Sequence, residues 1–580
     1  MKVFDRVNDI IPAFGEVSRA VGEGESPLSV TGLSSVHKAM LALKLSRERT
    51  VLVITEDEAC ARRIADDINA MASADTALVY PAKDITLVDV ESVSREYEYA
   101  RLGALSRLKD KSCRIICASA EAVMQQALPP DVLTKYTLLL EKGGTVDTAV
   151  LTQQLVRAGY SRCDTVEGRS QFSVRGSIID IFPVQSEHPV RIELWDDEID
   201  TISFFDTESQ RRFEQTDIIE IPPALEVLFG SDEEFIGAIN RLSSSVRGRK
   251  TDVIRQKLAH DVDVISGGGS VGSIDKYFSI AYDTSALIFD YIGADGVVIF
   301  SEYHNAADKA RGVFSHYSED IKLLLDDGSL CRGLEGYMLG FSDIVEKALG
   351  CRCIFADTFL RKSDVSFKRL IAATAFQTAP WGGEMRQLDE DLRSFTDRGY
   401  SVIVMAGSEK TLPIIASDLR EYGLSCSIAD DSSVPAAGHV LLMTGSLSSG
   451  YDFPESRTAL ITQSKAMTAK RRLAKKKKNA AEIHSLSDIS VGDPVVHALY
   501  GIGHFNGITK IENDGVVKDY ITIKYAGTDV LYVPVTQLDL VSRYIGPDDD
   551  NVRINKLSSG DWQKTRARVK KAVHDMADEL

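Results

Sequence analysis

The segment with the clearest chemical potential is an altered phosphate-binding loop. Residues 32–39 read GLSSVHKA, against the pattern G-x-x-x-x-G-K-[ST], and keep its first glycine, Gly32, and its lysine, Lys38. His37 replaces the glycine that lets the backbone approach a phosphate closely, and Ala39 replaces the hydroxyl that would hold Mg²⁺. The alternative interpretation is an ordinary loop that leads into a helix. Both interpretations predict that this chain hydrolyses no nucleotide.

The acidic partner of such a loop is also incomplete. After the buried strand expected at 297–300, Ser301 and Glu302 stand where an active site would place Asp-Glu, so the metal-holding aspartate is missing. The acidic strings 56–58 and 196–198 are interpreted as solvated turn residues. H-E-x-x-H is absent from the sequence, and no G-x-S-x-G precedes a helix. We therefore predict no catalytic residue and no cofactor in this chain.

Composition favours a protein-binding chain over a general nucleic-acid-binding one. The chain has 580 residues and a net charge of −18, which argues against broad nucleic-acid binding and is compatible with protein partners. Its eight cysteines form no C-x-x-C pair, so reduced thiols are expected and a metal site is not. Without a long apolar run or a signal peptide, we expect a cytoplasmic protein with no membrane contact.

The elements that must position these residues change character along the chain. Up to about residue 125, short apolar runs alternate with helical segments, which predicts a parallel sheet covered by helices. From about residue 159 the apolar residues alternate with polar ones. Val190, Ile192 and Leu194 should face a core, while Arg191, Glu193 and Trp195 face outward. By composition alone, that outer face is an ordinary solvated surface.

The second half contains further kinds of segment. An α/β unit is expected from about residue 351, with strands at 401–404 and 439–443. Residues 465–478 hold eight Lys or Arg and no acid, which favours a solvated tether over a nucleic-acid contact. Glycine-punctuated strands between about 486 and 545 predict a small barrel. The apolar stripe at 560–580 predicts a helix that is cut short, as in a fragment of a longer protein.

The passages that carry a resemblance are 159–162 (GYSR), 174–183 (VRGSIIDIFP), 191–200 (RIELWDDEID), 495–497 (VVH) with 501–503 (GIG), 531–535 (LYVPV) and 541–544 (VSRY). They resemble one family, the bacterial transcription-repair coupling factors known as Mfd. Part of the resemblance is shared with the helicase UvrB, and the last part with CarD-type regulators. The order of the passages is that of the N-terminal, non-motor part of the family.

The resemblance implies a multidomain α/β architecture. It contains a degenerate UvrB-like α/β domain with an inserted α+β UvrA-binding domain, a further α/β domain, and a small SH3/Tudor-like (CarD-like) β-barrel followed by a helix. The implied ranges are 1–125 and 213–350 for the UvrB-like domain, 126–212 for the insertion, 351–465 for the further domain, 466–485 for a basic linker, 486–548 for the polymerase-interacting barrel and 549–580 for a helix toward an absent motor.

The same resemblance implies the partners. The insertion would dock UvrA through Arg162, Arg175 and Arg191, with Glu193 as a weaker contact. The barrel would contact the RNA polymerase β subunit through Ile511, flanked by Lys510 and Glu512, although spacing alone favours Ile511 as a core residue. DNA contact would come mainly from the missing motor, which would use ATP and Mg²⁺. The rival interpretations are an active UvrB-like helicase and a CarD-like regulator with an unrelated N-terminal region.

Overall fold

The computed structural model describes residues 2–463, except 73–74, 84, 86, 88–94, 208, 249, 268–270, 272, 283 and 431. Beyond these it describes residues 480–482, 491–497, 500–513, 516–527, 529–534, 541–544 and 554. The chain divides into two units, Met1–Lys465 and Ala466–Leu580. Of the predicted linker 466–485 only residues 480–482 are described, and of the predicted terminal helix 549–580 only residue 554.

The first part of the chain forms the predicted parallel α/β layers. Strands β2 (Val51–Thr55) and β4 (Ile115–Ser119) are buried at every residue, as expected for apolar strands covered on both faces. The elements in chain order are α1 (Lys2–Ile10), α2 (Pro12–Gly22), β1 (Leu28–Thr31), α3 (Ser35–Leu45), β2 (Val51–Thr55), α4 (Glu58–Ala72), β3 (Ala77–Tyr80), α5 (Glu96–Lys109), β4 (Ile115–Ser119), α6 (Ala120–Met124) and α7 (Pro130–Tyr136).

A second, mostly antiparallel sheet follows, with the strand order β11-β10-β9-β8-β7-β6, while β5 pairs separately with β12. In β9 the burial alternates as predicted, with Val190, Ile192 and Leu194 in the core. The elements are β5 (Leu138–Glu141), α8 (Thr148–Arg157), β6 (Ser161–Arg162), β7 (Gln171–Arg175), β8 (Ile178–Ile181), β9 (Val190–Trp195), β10 (Glu198–Phe205), β11 (Arg212–Thr216) and β12 (Ile218–Ile221).

The chain then builds a helical region and returns to the first sheet. The elements are α9 (Asp232–Ser245), α10 (Thr251–Ser266), a 3-10 helix (Ile274–Tyr277), α11 (Phe278–Ala281), α12 (Phe289–Ile292), β13 (Val297–Ser301), α13 (Tyr303–Asp327), α14 (Phe341–Leu349), β14 (Arg352–Asp357) and β15 (Arg369–Ala372). The completed sheet is parallel throughout, in the order β15-β1-β14-β13-β2-β4-β3.

Two predicted boundaries need correction. The boundary at 350/351 is wrong, because β14 and β15 pair on both sides of β1 and so belong to the first sheet. The boundary at 212/213 falls inside β11, and β12 still pairs with β5 of the insertion. Both errors have the same physical cause. A strand's sheet is decided by hydrogen bonds to distant partners, and local apolar patterning does not reveal those partners.

A third sheet follows with the order β16-β20-β21-β17-β19-β18, parallel among β21, β17, β19 and β18. Its core residues join the cluster that lies under α2 and α3, and the rings of Phe14 and Phe453 meet 5.7 Å apart. The elements are β16 (Phe376–Thr378), α15 (Met385–Thr396), β17 (Ser401–Ala406), α16 (Leu412–Glu421), β18 (Cys426–Ile428), β19 (Val440–Thr444), β20 (Gly450–Phe453) and β21 (Thr458–Thr462).

A buried charge cluster joins the helical region to the first sheet. The ammonium of Lys83 contacts Asp275 at 2.8 Å, Glu98 at 3.2 Å and Glu226 at 3.4 Å. Glu226 also accepts from Arg101 at 2.7 Å. Burial alone would lower the pKa of Lys83, but the carboxylates Glu98 and Glu226 outweigh it, and that pKa lies well above its ordinary value. Lys83 is therefore held as a cation inside the protein.

The second unit is a small β-rich unit with the strand order β22-β27-β23-β24-β25-β26. Ile521, Ile523 and Tyr525 lie in its core. Its strands are β22 (Ala480–Glu482), β23 (Pro494–His497), β24 (Gly501–Asn513), β25 (Val516–Lys524), β26 (Val530–Pro534) and β27 (Val541–Tyr544). Within the described part of the chain, no helix is both long and apolar enough to cross a membrane.

Candidate functional site: two binding surfaces and an altered phosphate loop

The altered phosphate loop is filled by the protein itself. His37 stands in the first turn of α3, where its Nδ1 accepts the backbone N–H of Ser34 at 3.1 Å and so completes a capping box. The imidazole ring lies 5.0 Å from the ring of Phe453 in the third sheet. A Cβ on Gly32, whose φ is +86°, would come within 2.1 Å of the Ala373 carbonyl oxygen. The loop is therefore shaped to pack against protein.

The buried Lys38 side chain forms an ion pair with a carboxylate. Its Nζ lies 2.7 Å from Glu302 Oε1, and the Lys38 side chain is 2% exposed. The same oxygen accepts the Thr358 backbone N–H at 2.8 Å and the Thr358 hydroxyl at 2.5 Å. Burial would raise the pKa of Glu302, but Lys38 and Thr358 together bring it below its ordinary value. The charge that would meet a phosphate in an active loop is neutralised internally.

Sequence reasoning placed Glu302 beside the loop but missed Asp357 and Thr358. Asp357 ends β14, and its Oδ1 accepts the backbone N–H of Tyr303 at 3.0 Å. Burial and the neighbouring Glu302 raise the pKa of Asp357 above its ordinary value. Asp357 and Thr358 could have been selected from the sequence because they lie at the carboxyl end of a buried strand. They were missed because β14 was assigned to another domain.

The acidic string at 56–58 lies next to Cys60 at the start of α4. Ligand atoms of Glu56, Asp57 and Cys60 lie within 4.8 Å of one another. Asp57 accepts the backbone N–H of Cys60 at 2.8 Å. Burial, followed by Asp57 and Glu56, raises the pKa of the Cys60 thiol to about 12. Because metals bind the thiolate, this environment does not favour a metal site.

The outer face of the second sheet is organised around Asp180, a residue that sequence reasoning did not select. Asp180 is 1% exposed and accepts two hydrogen bonds from Arg191, at 2.7 and 2.9 Å, and one from Arg175 at 2.5 Å. The Arg191 guanidinium also lies over the Phe205 ring, 4.5 Å from its centroid. The bonds to Asp180 raise the pKa of Arg191. The sequence signal for this role was an acidic residue inside an apolar strand, since Asp180 lies two positions after Ile178. The structure pairs Asp180 with Arg191 of the neighbouring strand.

The side chains of Arg175 and Arg191 differ in solvent exposure. The Arg175 side chain is 47% exposed, whereas that of Arg191 is 15% exposed. Glu193 forms an ion pair with Arg212 at 2.5 Å and accepts from the Thr201 hydroxyl at 2.9 Å. Trp195, at the end of the same strand, is 80% exposed. Arg175 and Trp195 are therefore the accessible members of this face, and Arg191 mainly holds it in place.

Arg162 does not join this group. The strand register aligns Arg162 with Phe172, a core residue, whereas Arg175 and Arg191 align with Ile178 and Asp180. Its neighbour Cys163 packs on the other side, against the small apolar cluster of Val166, Phe182 and Phe205. Arg162 is exposed on the edge strand β6. The structure thus brings Arg175, Arg191 and Glu193 together and leaves Arg162 apart.

The second unit presents a long hairpin. β24 pairs with β23 only from Gly501 to His504 and with β25 as far as Asn513. Lys510, Ile511 and Glu512 pair with Asp519, Lys518 and Val517 of β25, beyond the end of the β23 ladder. The other backbone edge at these three residues has no strand partner among the described residues. This is the geometry of a strand edge that another chain can extend.

Two family models match the chain at these surfaces. The UvrB interaction domain matches residues 138–226, and the CarD-like/TRCF RID domain matches residues 489–545. The first range contains the Asp180-centred face and the β5–β12 pair, and the second contains the β24–β25 hairpin. The chain is thus a multidomain α/β protein that carries a UvrB interaction domain ahead of a CarD-like domain.

Curated relatives match nearly the whole chain. The chain is similar to the transcription-repair-coupling factor of Bacillus subtilis (strain 168), with 28% identity over 98% of this chain and 49% of that protein. It is 26% identical to that of Staphylococcus haemolyticus (strain JCSC1435) and 25% identical to that of Staphylococcus aureus (strain MRSA252), over 96% of this chain and 48% of each. The chain spans about half the length of these relatives, and it matches their N-terminal half.

Proposed function

We propose that this chain is a binding component of transcription-coupled nucleotide excision repair, one that holds RNA polymerase and recruits UvrA. The observation that carries the proposal is the presence, in one chain and in this order, of the UvrB interaction domain and the CarD-like/TRCF RID domain. The homology to transcription-repair-coupling factors over nearly the whole chain supports it. Such a role belongs in the bacterial cytoplasm, where polymerase and repair proteins meet.

UvrA is assigned to the Asp180-centred face. Arg175 supplies an accessible guanidinium on the sheet that also carries the exposed Trp195, and arginine with an aromatic is the composition of energetic hot spots. Arg191 and Asp180 fix the position of Arg175 through the shared carboxylate. Glu193 with its partner Arg212, and Arg162 on the neighbouring edge strand, are assigned to the periphery of the contact.

The test is UvrA affinity of single variants. Arg175→Glu should weaken binding by roughly 30-fold, the size of a loss of about 2 kcal/mol at a hot spot. Arg191→Gln is the milder change at the second arginine, because a glutamate there would face the buried Asp180. Arg157→Glu on α8 is the matched control, since it is exposed in the same domain. Unchanged affinity of Arg175→Glu, with circular dichroism confirming the fold, would remove this assignment.

The RNA polymerase β subunit is assigned to the β24–β25 hairpin. An added strand would pair with the free edge at Ile511, and Lys510 and Glu512 would flank it. Ile511→Arg should abolish co-purification with the β subunit. Tyr532→Arg on the end strand β26 is the matched comparison, since Tyr532 is 48% exposed on the opposite end of the sheet. If only Tyr532→Arg prevents binding, the contact uses β26 and the assignment to Ile511 is wrong.

We further propose that the chain itself hydrolyses no nucleotide. Lys38, Glu302 and Thr358 satisfy one another, and His37 occupies the position where a phosphate would enter. ATP and Mg²⁺ would then serve a motor and not this part of the protein. Measurable, Lys38-dependent ATP turnover by the purified chain would refute this part of the proposal.

A further inference from the structure

A strongly basic surface lies on the helical hairpin of α9 and α10, outside both assigned contacts. Residues 241–257 contain six Lys or Arg and one acid, Asp252, in a chain whose net charge is −18. Five of the six are described, and all five are exposed: Arg241, Arg247, Lys250, Arg255 and Lys257. We call these five residues the hairpin patch. A local cationic surface on an acidic protein points to a polyanionic partner.

The charges of the hairpin patch are not neutralised by ion pairs with acidic residues in the described part of the chain. Among the described residues, no salt bridge is formed by any of its five members. The hydrogen bonds they make go to neutral oxygens. Arg255 donates to the Ser243 carbonyl at 3.2 Å, Arg247 to the Val246 carbonyl at 2.9 Å, and Lys257 to the Ser329 hydroxyl at 2.9 Å.

Arg247 and Arg255 converge on one open cavity of about 640 Å³ between the two helices. The hydroxyl residues Ser243, Ser244 and Thr251 line the same cavity. The two guanidinium groups supply donors that suit the oxygens of a phosphate, because arginine binds phosphate with two parallel hydrogen bonds. The hydroxyls of Ser244 and Thr251 already donate to the carbonyls of Asn240 and Gly248, both at 2.8 Å, so the arginines carry the contact. The lining holds no carboxylate, so the site would not repel an anion.

We propose that the hairpin patch binds the phosphate backbone of duplex DNA, with Arg247 and Arg255 gripping one phosphate and Arg241, Lys250 and Lys257 flanking it. This assignment goes beyond the UvrA and polymerase contacts and does not depend on either. DNA fits better than a folded acidic protein because charge dominates the patch, and Val253, at 42% exposed, is the one large apolar side chain that is exposed among the described residues of 241–257. Its exposed surface contributes charge and hydroxyls, whereas a protein interface would place apolar or aromatic anchors at its centre.

The experiment measures binding of the full chain to a fluorescein-labelled duplex of about 25 base pairs by anisotropy, between about 50 and 200 mM KCl. All samples have lysines 475–478 replaced by glutamine, so that this tract does not mask the effect. The test variant is R247E/R255E. The control is K309E/K347E, which changes the charge by the same amount at exposed residues on α13 and α14. Thermal unfolding verifies the fold of each.

The expected result is a Kd at least about ten-fold weaker for R247E/R255E and a salt slope reduced by roughly one, because the one phosphate held by Arg247 and Arg255 is no longer neutralised. K309E/K347E should change Kd by less than about three-fold. Equal Kd values for the two variants would overturn the proposal. It would also be overturned if polyglutamate, and not DNA, bound the chain in an Arg247- and Arg255-dependent way, since the patch would then serve an acidic protein.

Discussion

The ammonium of Lys38 lies 2.7 Å from the carboxylate of Glu302, although 264 residues separate the two in the chain. In an active nucleotide site the corresponding lysine meets phosphate and the corresponding acid holds a metal ion. Here the two groups neutralise each other, and Thr358 saturates the same carboxylate oxygen. These three residues thus connect α3 with the segments that follow β13 and β14.

The first prediction concerns restoration of the sequence motif. His37→Gly with Ala39→Thr restores the letters of a phosphate loop, but Lys38 stays paired with Glu302, so nucleotide binding should not return. The measurement is titration with a fluorescent ATP analogue and Mg²⁺, in which we expect no saturation up to about 1 mM. Saturable binding well below that concentration would show that the two motif residues, and not the internal ion pair, exclude nucleotide.

The second prediction concerns Gly32. Gly32→Ala places a Cβ about 2.1 Å from the Ala373 oxygen at a φ of +86°, so it combines steric overlap with backbone strain. Gly423 has a φ of +81°, and a Cβ added there would have no neighbour within 4 Å, so Gly423→Ala isolates the strain. That strain is worth about 1 kcal/mol. Urea unfolding should show Gly32→Ala to be at least about 1 kcal/mol less stable than Gly423→Ala. Equal losses would mean that Ala373 moves aside freely.

The third prediction is a pH dependence caused by His37. Burial, with a smaller contribution from Lys38, lowers the pKa of His37 to about 4, from 6.5 in the unfolded chain. The unfolded state therefore binds the proton first, and stability falls as the pH drops from about 6.5 toward about 4, by up to roughly 3 kcal/mol. Above pH 7 the effect is absent. His37→Gln retains a capping-box side chain without this titration.

The comparison is made on urea midpoints at pH 7 and pH 5. Between these two values the wild type should lose more stability than His37→Gln, because carboxylates that also titrate there contribute equally to both proteins. Parallel losses in the two proteins would show that the buried imidazole does not control this part of the acid response.

The fourth prediction concerns the buried charge cluster. Lys83→Met removes the cation that contacts Glu98, Glu226 and Asp275, and leaves their charge uncompensated in the interior. The loss should be about 3–5 kcal/mol in the free energy of unfolding. Lys309→Met on the exposed side of α13 should change stability by less than about 0.5 kcal/mol. A Lys83→Met protein as stable as the control would show that Arg95 and Arg101 compensate the acids.

Sequence patterns predicted the local elements well because those elements follow from short-range spacing. The apolar runs at 51–54 and 115–117 became β2 and β4, and the alternation at 190–195 became β9 with the predicted faces. The histidine at residue 37 and the alanine at residue 39 indicated an inactive loop from side-chain chemistry alone. The resemblance of several passages to a known family also implied both interaction domains, which the family models confirm.

Only the tertiary structure decided which distant residues meet. The pairing of β14 with β1 moved a predicted domain boundary, because hydrogen bonds between parallel strands join segments separated by hundreds of residues. The bonds of Asp180 to Arg175 and Arg191 determined which arginine is accessible, and strand register separated Arg162 from both. Spacing along one strand specifies a face, but exposure on that face depends on the neighbouring strands and on the charges they bring.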